Sequence, residues 1–384
     1  MAEFRLPGKI IAGGHAMEEA AALLPEYGRK ALVVTGKHVA CSSMMEELQK
    51  ALKEQGLEYQ VYDGITGEPT DTMIEEGVRI YRETGCDFCI GIGGGSPLDS
   101  AKAIGAMIIN PGKIADYNGK TITEPLPPVV AIPTTAGTGS EATKFTIITD
   151  TEKNIKMLLK GEALLPVLAI VDYRFSLSSP PSVTAATGLD ALTHAVEAYT
   201  SIKAQPLSDV YALSAVRRIL RWLPEAWKDG SSQEARKEMA LAALEAGICI
   251  NNSSVTIVHG MSRPIGALFH VPHGISNAML LTVCLREVAD AALDRFADLG
   301  RAVGAACEAD TDHRAAEEFL NRLEEICRIC QVPTLKEYGV GEEEYRNAIE
   351  KMTEDALASG SPGNCRKSVN AEDIRRLYRK AYGG

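Results

Sequence analysis

At 384 residues the chain is too long for one ordinary hydrophobic core, so two domains are expected. Its 45% apolar and 24% charged residues are those of a soluble globular protein, and no run of about 18 apolar residues offers a membrane span. A net charge of −11 argues against nucleic acid as the main partner, and Met1-Ala2-Glu3-Phe4-Arg5-Leu6 lacks the basic and then apolar layout of a secretion signal. Nine scattered cysteines suit a reducing cytoplasm better than a disulfide scaffold. Cys327 and Cys330 form a lone C-x-x-C inside an amphipathic pattern, with no second pair at zinc-site spacing, and read as core packing.

The first half alternates strand and helix. Lys30-Ala31-Leu32-Val33-Val34-Thr35 has a buried-strand pattern and is followed by a helix near 43–55. Tyr59-Gln60-Val61-Tyr62 is a second strand, and 71–84 a second helix with Asp71 as its N-cap. Further strands follow at 87–92, 129–133 and 168–172, which implies a parallel, Rossmann-like α/β sheet. Between the last two, 144–148 and 155–159 read as a β-hairpin around Asp150-Thr151-Glu152-Lys153. At Ser179-Pro180-Pro181-Ser182 the character changes. Helices are expected at 183–201, 207–222, 231–250, 274–290, 312–331, 342–354 and 371–382. The domains are therefore an α/β domain, 1–179, and an all-helical domain, 180–384.

Two loops of the first half have ligand-binding character. Gly91-Ile92-Gly93-Gly94-Gly95-Ser96-Pro97-Leu98-Asp99 follows a strand and opens a helix. Its glycines let a backbone come close to a ligand, and the free N–H groups of a first helical turn attract an anion such as a diphosphate. A tight turn without a ligand is the plainer reading. Pro133-Thr134-Thr135-Ala136-Gly137-Thr138-Gly139-Ser140-Glu141 also follows a strand and supplies small residues and hydroxyls. Two such loops at the carboxyl ends of one sheet's strands are where open α/β sheets bind nucleotides.

In the helical half, Gly188-Leu189-Asp190-Ala191-Leu192-Thr193-His194 places a carboxylate and an imidazole four residues apart, on one helical face. Such pairs are common on solvated helices. Here the neighbours are mostly Ala, Leu, Val and Thr, and a carboxylate on that face is costly unless it is paired or binds a metal. Two more of the seven histidines, His259 and His273, stand before glycines, where a helix end is an equally plain reading.

Taken together, Gly93-Gly94-Gly95-Ser96-Pro97-Leu98-Asp99, Ile132-Pro133-Thr134-Thr135-Ala136-Gly137-Thr138-Gly139-Ser140-Glu141, Gly188 through Glu197, and His259-Gly260-Met261 through Pro272-His273-Gly274 make the chain resemble the iron-containing (group III) alcohol dehydrogenases along most of its length. The resemblance implies a dinucleotide-binding α/β domain and a helical metal-binding, catalytic domain, in the dehydroquinate synthase-like architecture, and a homodimer. It implies that Asp190, His194, His259 and His273 hold the metal and act through it. It implies that Gly94, Gly95 and Ser96 cradle the diphosphate, that Asp99, Thr134, Thr135 and Thr138 contact the cofactor around the nicotinamide side, and that Lys156 reaches the cofactor ribose. The implied reaction is reversible hydride transfer between a primary alcohol and NAD(P), with the metal as Lewis acid; the partner is a small alcohol or aldehyde, not nucleic acid or a membrane. Fe²⁺ is the metal by resemblance, and Zn²⁺ or Mn²⁺ suits the same nitrogen and oxygen donors.

Two departures from the family pattern matter. Many NAD-preferring members carry Asp directly after the first strand, where it binds the ribose hydroxyls and repels a 2′-phosphate. Here the stretch is Val34-Thr35-Gly36-Lys37. Gly36 removes the repulsion and Lys37 adds positive charge, so NADP(H) is expected over NAD(H). Arg263 stands where many relatives have a histidine near the nicotinamide. Arginine cannot shuttle a proton near neutral pH, which leaves water, the cofactor ribose or His270 as the route. His270 fits a packing role equally well. Rival readings are a zinc polyol dehydrogenase of the glycerol type and a sugar-phosphate cyclase like dehydroquinate synthase, whose substrate phosphate needs a basic cluster such as Arg217, Arg218 and Arg221 would form. A metal-binding protein without catalysis would leave both cofactor loops without purpose.

Overall fold

Alternation of side chains along a few strongly apolar strands builds the first half of the chain. In the computed structural model, which describes residues 3–153 and 155–383, Arg5–Ser179 form one unit and a second begins at Pro180. The strands of the first unit are β1 (Lys9–Ala12), β2 (Lys30–Val34), β3 (Glu58–Tyr62), β4 (Phe88–Gly93), β5 (Val129–Pro133), β6 (Phe145–Asp150), β7 (Ile155–Lys160) and β8 (Leu168–Val171). Six of them form a parallel sheet in the order β1-β8-β5-β4-β2-β3, while β6 and β7 pair antiparallel as a separate hairpin. The helices are α1 (Ala16–Ala21), α2 (Lys37–Ala40), α3 (Ser43–Glu54), α4 (Asp71–Thr84) and α5 (Gly95–Ile109).

Every residue of β4 is buried, as a strand covered on both faces requires. Alternate residues serve two cores. Leu32, Val34 and Cys89 pack with Ile74 and Ile104 of α4 and α5, whereas Ala31, Val33, Phe88 and Ile90 pack with Met17, Leu48 and Leu52 of α1 and α3. The edge strand β1 has no counterpart in the sequence reading; four residues beside Gly8 and Gly13 give too short a pattern. The N-cap of α4 is Thr70, whose Oγ1 accepts from Met73 N at 3.3 Å, rather than Asp71. Asp71 instead accepts from Thr151 Oγ1 at 2.8 Å, tying α4 to the hairpin turn.

The second unit is helical: α6 (Pro181–Thr200), α7 (Pro206–Lys228), α8 (Gln233–Asn252), α9 (Ile257–Phe269), α10 (His273–Val288), α11 (Leu293–Ala302), α12 (Asp312–Ile329), α13 (Leu335–Tyr338), α14 (Glu342–Ala358) and α15 (Ala371–Gly383). Phe4 belongs here too, its ring stacked 6.1 Å from that of Tyr211. Helix α6 is enclosed by α7, α8 and α10 and buries fifteen of its twenty residues. Small residues permit this. A Cβ on Gly188 would come within 2.5 Å of Leu223 of α7, and one on Gly274, in the first turn of α10, within 2.3 Å of the Ala186 carbonyl oxygen. Helix α9 is not anticipated from sequence because Pro264 lies inside it, where proline removes a backbone donor and ordinarily breaks a helix. Among the described residues, no single helix is long and apolar enough to cross a membrane.

Candidate functional site

Three imidazoles converge on one carboxylate oxygen. Asp190 Oδ1, midway along α6, lies 3.9 Å from His194 Nε2 one turn further on. It lies 3.5 Å from Nε2 of His259, in the first turn of α9, and 3.7 Å from Nε2 of His273, which opens α10. Neither His-Gly pair therefore ends a helix; both begin one. Ligand atoms of Asp190, His259 and His273 all lie within 4.8 Å of one another, and the rings of His194 and His259 stack with centroids 4.5 Å apart. An ion with bonds of about 2.1 Å sets neighbouring donors roughly 3–3.5 Å apart, so a small contraction closes this set on a divalent cation.

The centre of the acceptors is held by a donor. Asn277 Nδ2 is 2.7 Å from Asp190 Oδ1 and 3.2 Å from both His259 Nε2 and His273 Nε2, while Asn277 Oδ1 is buried without a partner. An amide donor to Asp190 thus lies within hydrogen-bond reach of two of the imidazole nitrogens, and a cation fits the same place. The electrostatics agree. Burial would raise the Asp190 pKa, but His194, His273 and His259 outweigh it and hold the carboxyl well below its usual range. Burial would lower that of His259, but Glu197 and Asp190 outweigh it and raise the pKa.

Glu197, absent from the residues singled out in the sequence, orients the site. It is fully buried at the end of α6. Its Oε2 lies 2.6 Å from His259 Nδ1, and its Oε1 accepts from Thr256 Oγ1 at 2.7 Å and Val258 N at 2.6 Å. A carboxylate only accepts, so Nδ1 of His259 carries a hydrogen, and in the neutral ring Nε2, which faces Asp190, is the nitrogen that can ligate a cation. The signal for Glu197 was present: it follows Asp190 by seven residues and His194 by three, on the same helical face.

The remaining residues of this unit divide. His270 caps the C-terminus of α9 in the left-handed conformation (φ 54°) and is exposed, outside the cluster of buried acceptors. Arg263 is half-buried, with Nη1 3.3 Å from Ser361 Oγ and Nε enclosed without a partner. Arg217 donates to the Ala302 carbonyl, Arg218 pairs with Glu238, and Arg221 lies over the Trp222 ring, so these three make helix contacts rather than a phosphate site.

In the first unit the two loops do meet. Thr134 N donates to the Gly93 carbonyl at 2.8 Å, joining the ends of β4 and β5. A Cβ on Gly95 would come within 2.7 Å of Thr138, and one on Gly94 within 3.6 Å of Thr135, so Gly94, Gly95, Ser96, Thr134, Thr135 and Thr138 line one place at the carboxyl ends of the strands. Gly36 follows β2 beside them; Thr35 Oγ1 donates to the Ile92 carbonyl at 2.8 Å. Both carboxylate oxygens of Asp99 are engaged, accepting from Ser140 Oγ at 2.5 Å and Ile147 N at 2.9 Å. Lys102, fully buried, donates to Ser140 Oγ, Thr143 O and Phe145 O. These two residues, one turn apart on α5, bind the second loop to the first. Burial pulls the Lys102 pKa down to about 8 and pushes that of the neighbouring Glu141 up to about 7. Lys156 stands on β7, paired with Glu68 at 2.7 Å.

Comparison with known proteins bears on all of this. Residues 7–173 match the profile of the iron-containing alcohol dehydrogenases, and residues 184–382 that of the family's C-terminal region. The chain is 35% identical to the NAD-dependent methanol dehydrogenase of Bacillus methanolicus over 99% of its own length and 100% of that protein's. It is 32% identical to the NADPH-dependent butanol dehydrogenase of Clostridium saccharobutylicum over 100% and 99% of the two chains. The solved structure of 1,3-propanediol oxidoreductase superposes with a TM-score of 0.96 at 34% identity, covering 99% of this chain and 100% of that one.

Proposed function

This chain belongs to the iron-containing alcohol dehydrogenase family, and on that premise we propose that it is an oxidoreductase that exchanges hydride between a primary alcohol and NADP(H), with Asp190, His194, His259 and His273 holding the metal. The observation that carries the reading is the convergence of three imidazole nitrogens on Asp190 Oδ1. When bound, the divalent cation supplies Lewis acidity that favours an alkoxide over the alcohol near neutral pH and polarises a carbonyl in the reverse direction. Asp190 supplies the one negative charge among four ligands, so a dication leaves the centre near +1, suited to an anionic oxygen. Glu197 holds His259 in the tautomer that presents Nε2. The glycine loop offers backbone N–H groups at the start of α5 to the cofactor diphosphate, and Thr134, Thr135 and Thr138 flank it.

The preference for NADP(H) rests on the end of β2. Gly36 is extended, bridged to Gly64, and a Cβ there would meet the Ile65 carbonyl oxygen at 2.7 Å. No carboxylate stands at that position to repel a 2′-phosphate, and Lys37 and His38 are exposed immediately after it. The test is an anaerobic assay at 340 nm on enzyme stripped of metal and reloaded with Fe²⁺ or Zn²⁺, with butanal as substrate. Metal-dependent oxidation of NADPH is expected. A specificity constant for NADH far above that for NADPH would remove the Gly36 argument while keeping the reaction. No turnover with either donor, metal being bound, would remove the reaction itself.

A further inference from the structure

We propose that Arg263 recognises an anion on the substrate, so that the preferred alcohol or aldehyde is short and carries a carboxylate or another small oxyanion at its far end. The proposal rests on the reaction assigned above and names its substrate class.

Arg263 follows His259 by four residues on α9, hence on the same face, with Cβ atoms about 5–6 Å apart. Long side chains on a helix lean toward its N-terminus, which here is the direction of His259. A guanidinium offers five N–H donors in a planar fork. Among the described residues only Nη1 finds a partner, 3.3 Å from the neutral Ser361 Oγ. Nε is enclosed and without an acceptor.

Arg263 has no ion pair among the described residues. The carboxylate whose charge reaches it is Glu197, and both oxygens of that group already accept from Thr256, Val258 and His259. A partly buried cation one helical turn from His259 is therefore left without a countercharge, an arrangement that costs stability in the free enzyme. A carboxylate supplies two oxygens at the spacing of that fork, which a neutral alcohol does not. The cofactor is a second possible source of oxyanion, and the experiment separates the two.

The specificity constants of the metal-loaded enzyme are measured for 4-oxobutanoate against butanal, and for 5-oxopentanoate against pentanal, with the nicotinamide donor it uses. Wild type is expected to favour at least one anionic member by 10-fold or more. R263M and R263Q should each lower that ratio by about 10- to 100-fold, chiefly through KM for the aldehyde, with R263K intermediate. A wild-type preference for the neutral aldehyde in both pairs overturns the proposal. So does an unchanged ratio in variants that melt at the wild-type temperature, or a rise confined to KM for the cofactor. If neither aldehyde of either pair is reduced, the reaction has failed rather than Arg263. Calorimetric titration of 4-hydroxybutanoate into metal-loaded wild type and R263M then decides: weaker binding to the variant supports the assignment, equal binding overturns it.

Discussion

Replacing Glu197 by Gln removes one charge and no volume, and its effect follows from three hydrogen bonds. Thr256 Oγ1 and Val258 N both donate to Oε1 at 2.7 and 2.6 Å, so the amide oxygen of Gln takes that side. The amide NH₂ then faces His259 Nδ1, which in the wild type donates to Oε2 across 2.6 Å. Two donors cannot face each other. Relief comes when His259 moves its hydrogen to Nε2, and that consumes the lone pair aimed at Asp190. The loss is one charge-assisted hydrogen bond and the right tautomer, about 1.5–3 kcal/mol, or roughly 10- to 100-fold in metal affinity. The assay is competition of apo wild type and E197Q against a chromophoric chelator for Zn²⁺, repeated anaerobically with Fe²⁺. Melting curves of the apo forms establish that both are folded. An E197Q protein that is folded and binds metal as tightly as wild type would refute the role given to Glu197.

Three further outcomes are expected. His259→Ala should lose metal and turnover together; full activity with stoichiometric metal in that variant would refute the ligand assignment. Glu141, whose carboxyl burial raises from 4.5 to about 7, favours folding in its protonated form. That stability is fully present below about pH 4.5 and lost as pH rises through about 7, to a limit of about 3 kcal/mol. Glu141→Gln should thus melt with wild type near pH 4.5 and above it at pH 8, and a variant less stable than wild type at pH 8 would show that an ion pair with Lys102 dominates instead. Gly274→Ala puts a methyl 2.3 Å from the Ala186 carbonyl oxygen, so α10 must move off α6 at a cost of about 1–3 kcal/mol, and His273 with it. Melting temperature and metal affinity should fall together, and no change in either would contradict that packing.

What was legible from the sequence is what depends on short-range pattern. Asp190 and His194 are four residues apart on one apolar helix, and periodicity alone places them side by side. The strands of the parallel sheet announce themselves because β2, β4 and β5 are buried on both faces and read as unbroken apolar runs. His259 and His273 are different. Each is a lone His-Gly, and only the packing of α9 and α10 against α6 brings their nitrogens to Asp190. Pro264 concealed α9 altogether. Asn277 and Glu197 act through hydrogen bonds that no spacing rule reports, although both share a helical face with a ligand. Asp99 read as a cofactor contact on the nicotinamide side, yet its carboxylate turns inward to accept from Ser140 and Ile147, beside Lys102, which donates to Ser140, Thr143 and Phe145; those partners lie some forty residues on, where no local pattern reaches.

The enclosure of α6 gives the metal centre an uneven anchorage. Two ligands stand on a helix wrapped by three others, so its amides should exchange with deuterium only when the helical unit opens as a whole. The other two stand in the first turns of α9 and α10, whose interrupted helices meet at the exposed His270. Stripping the metal should therefore speed deuterium uptake across 257–277 and leave 188–198 slow. The ion would then be reached by loosening one wall of its cage while the other keeps the geometry for its return.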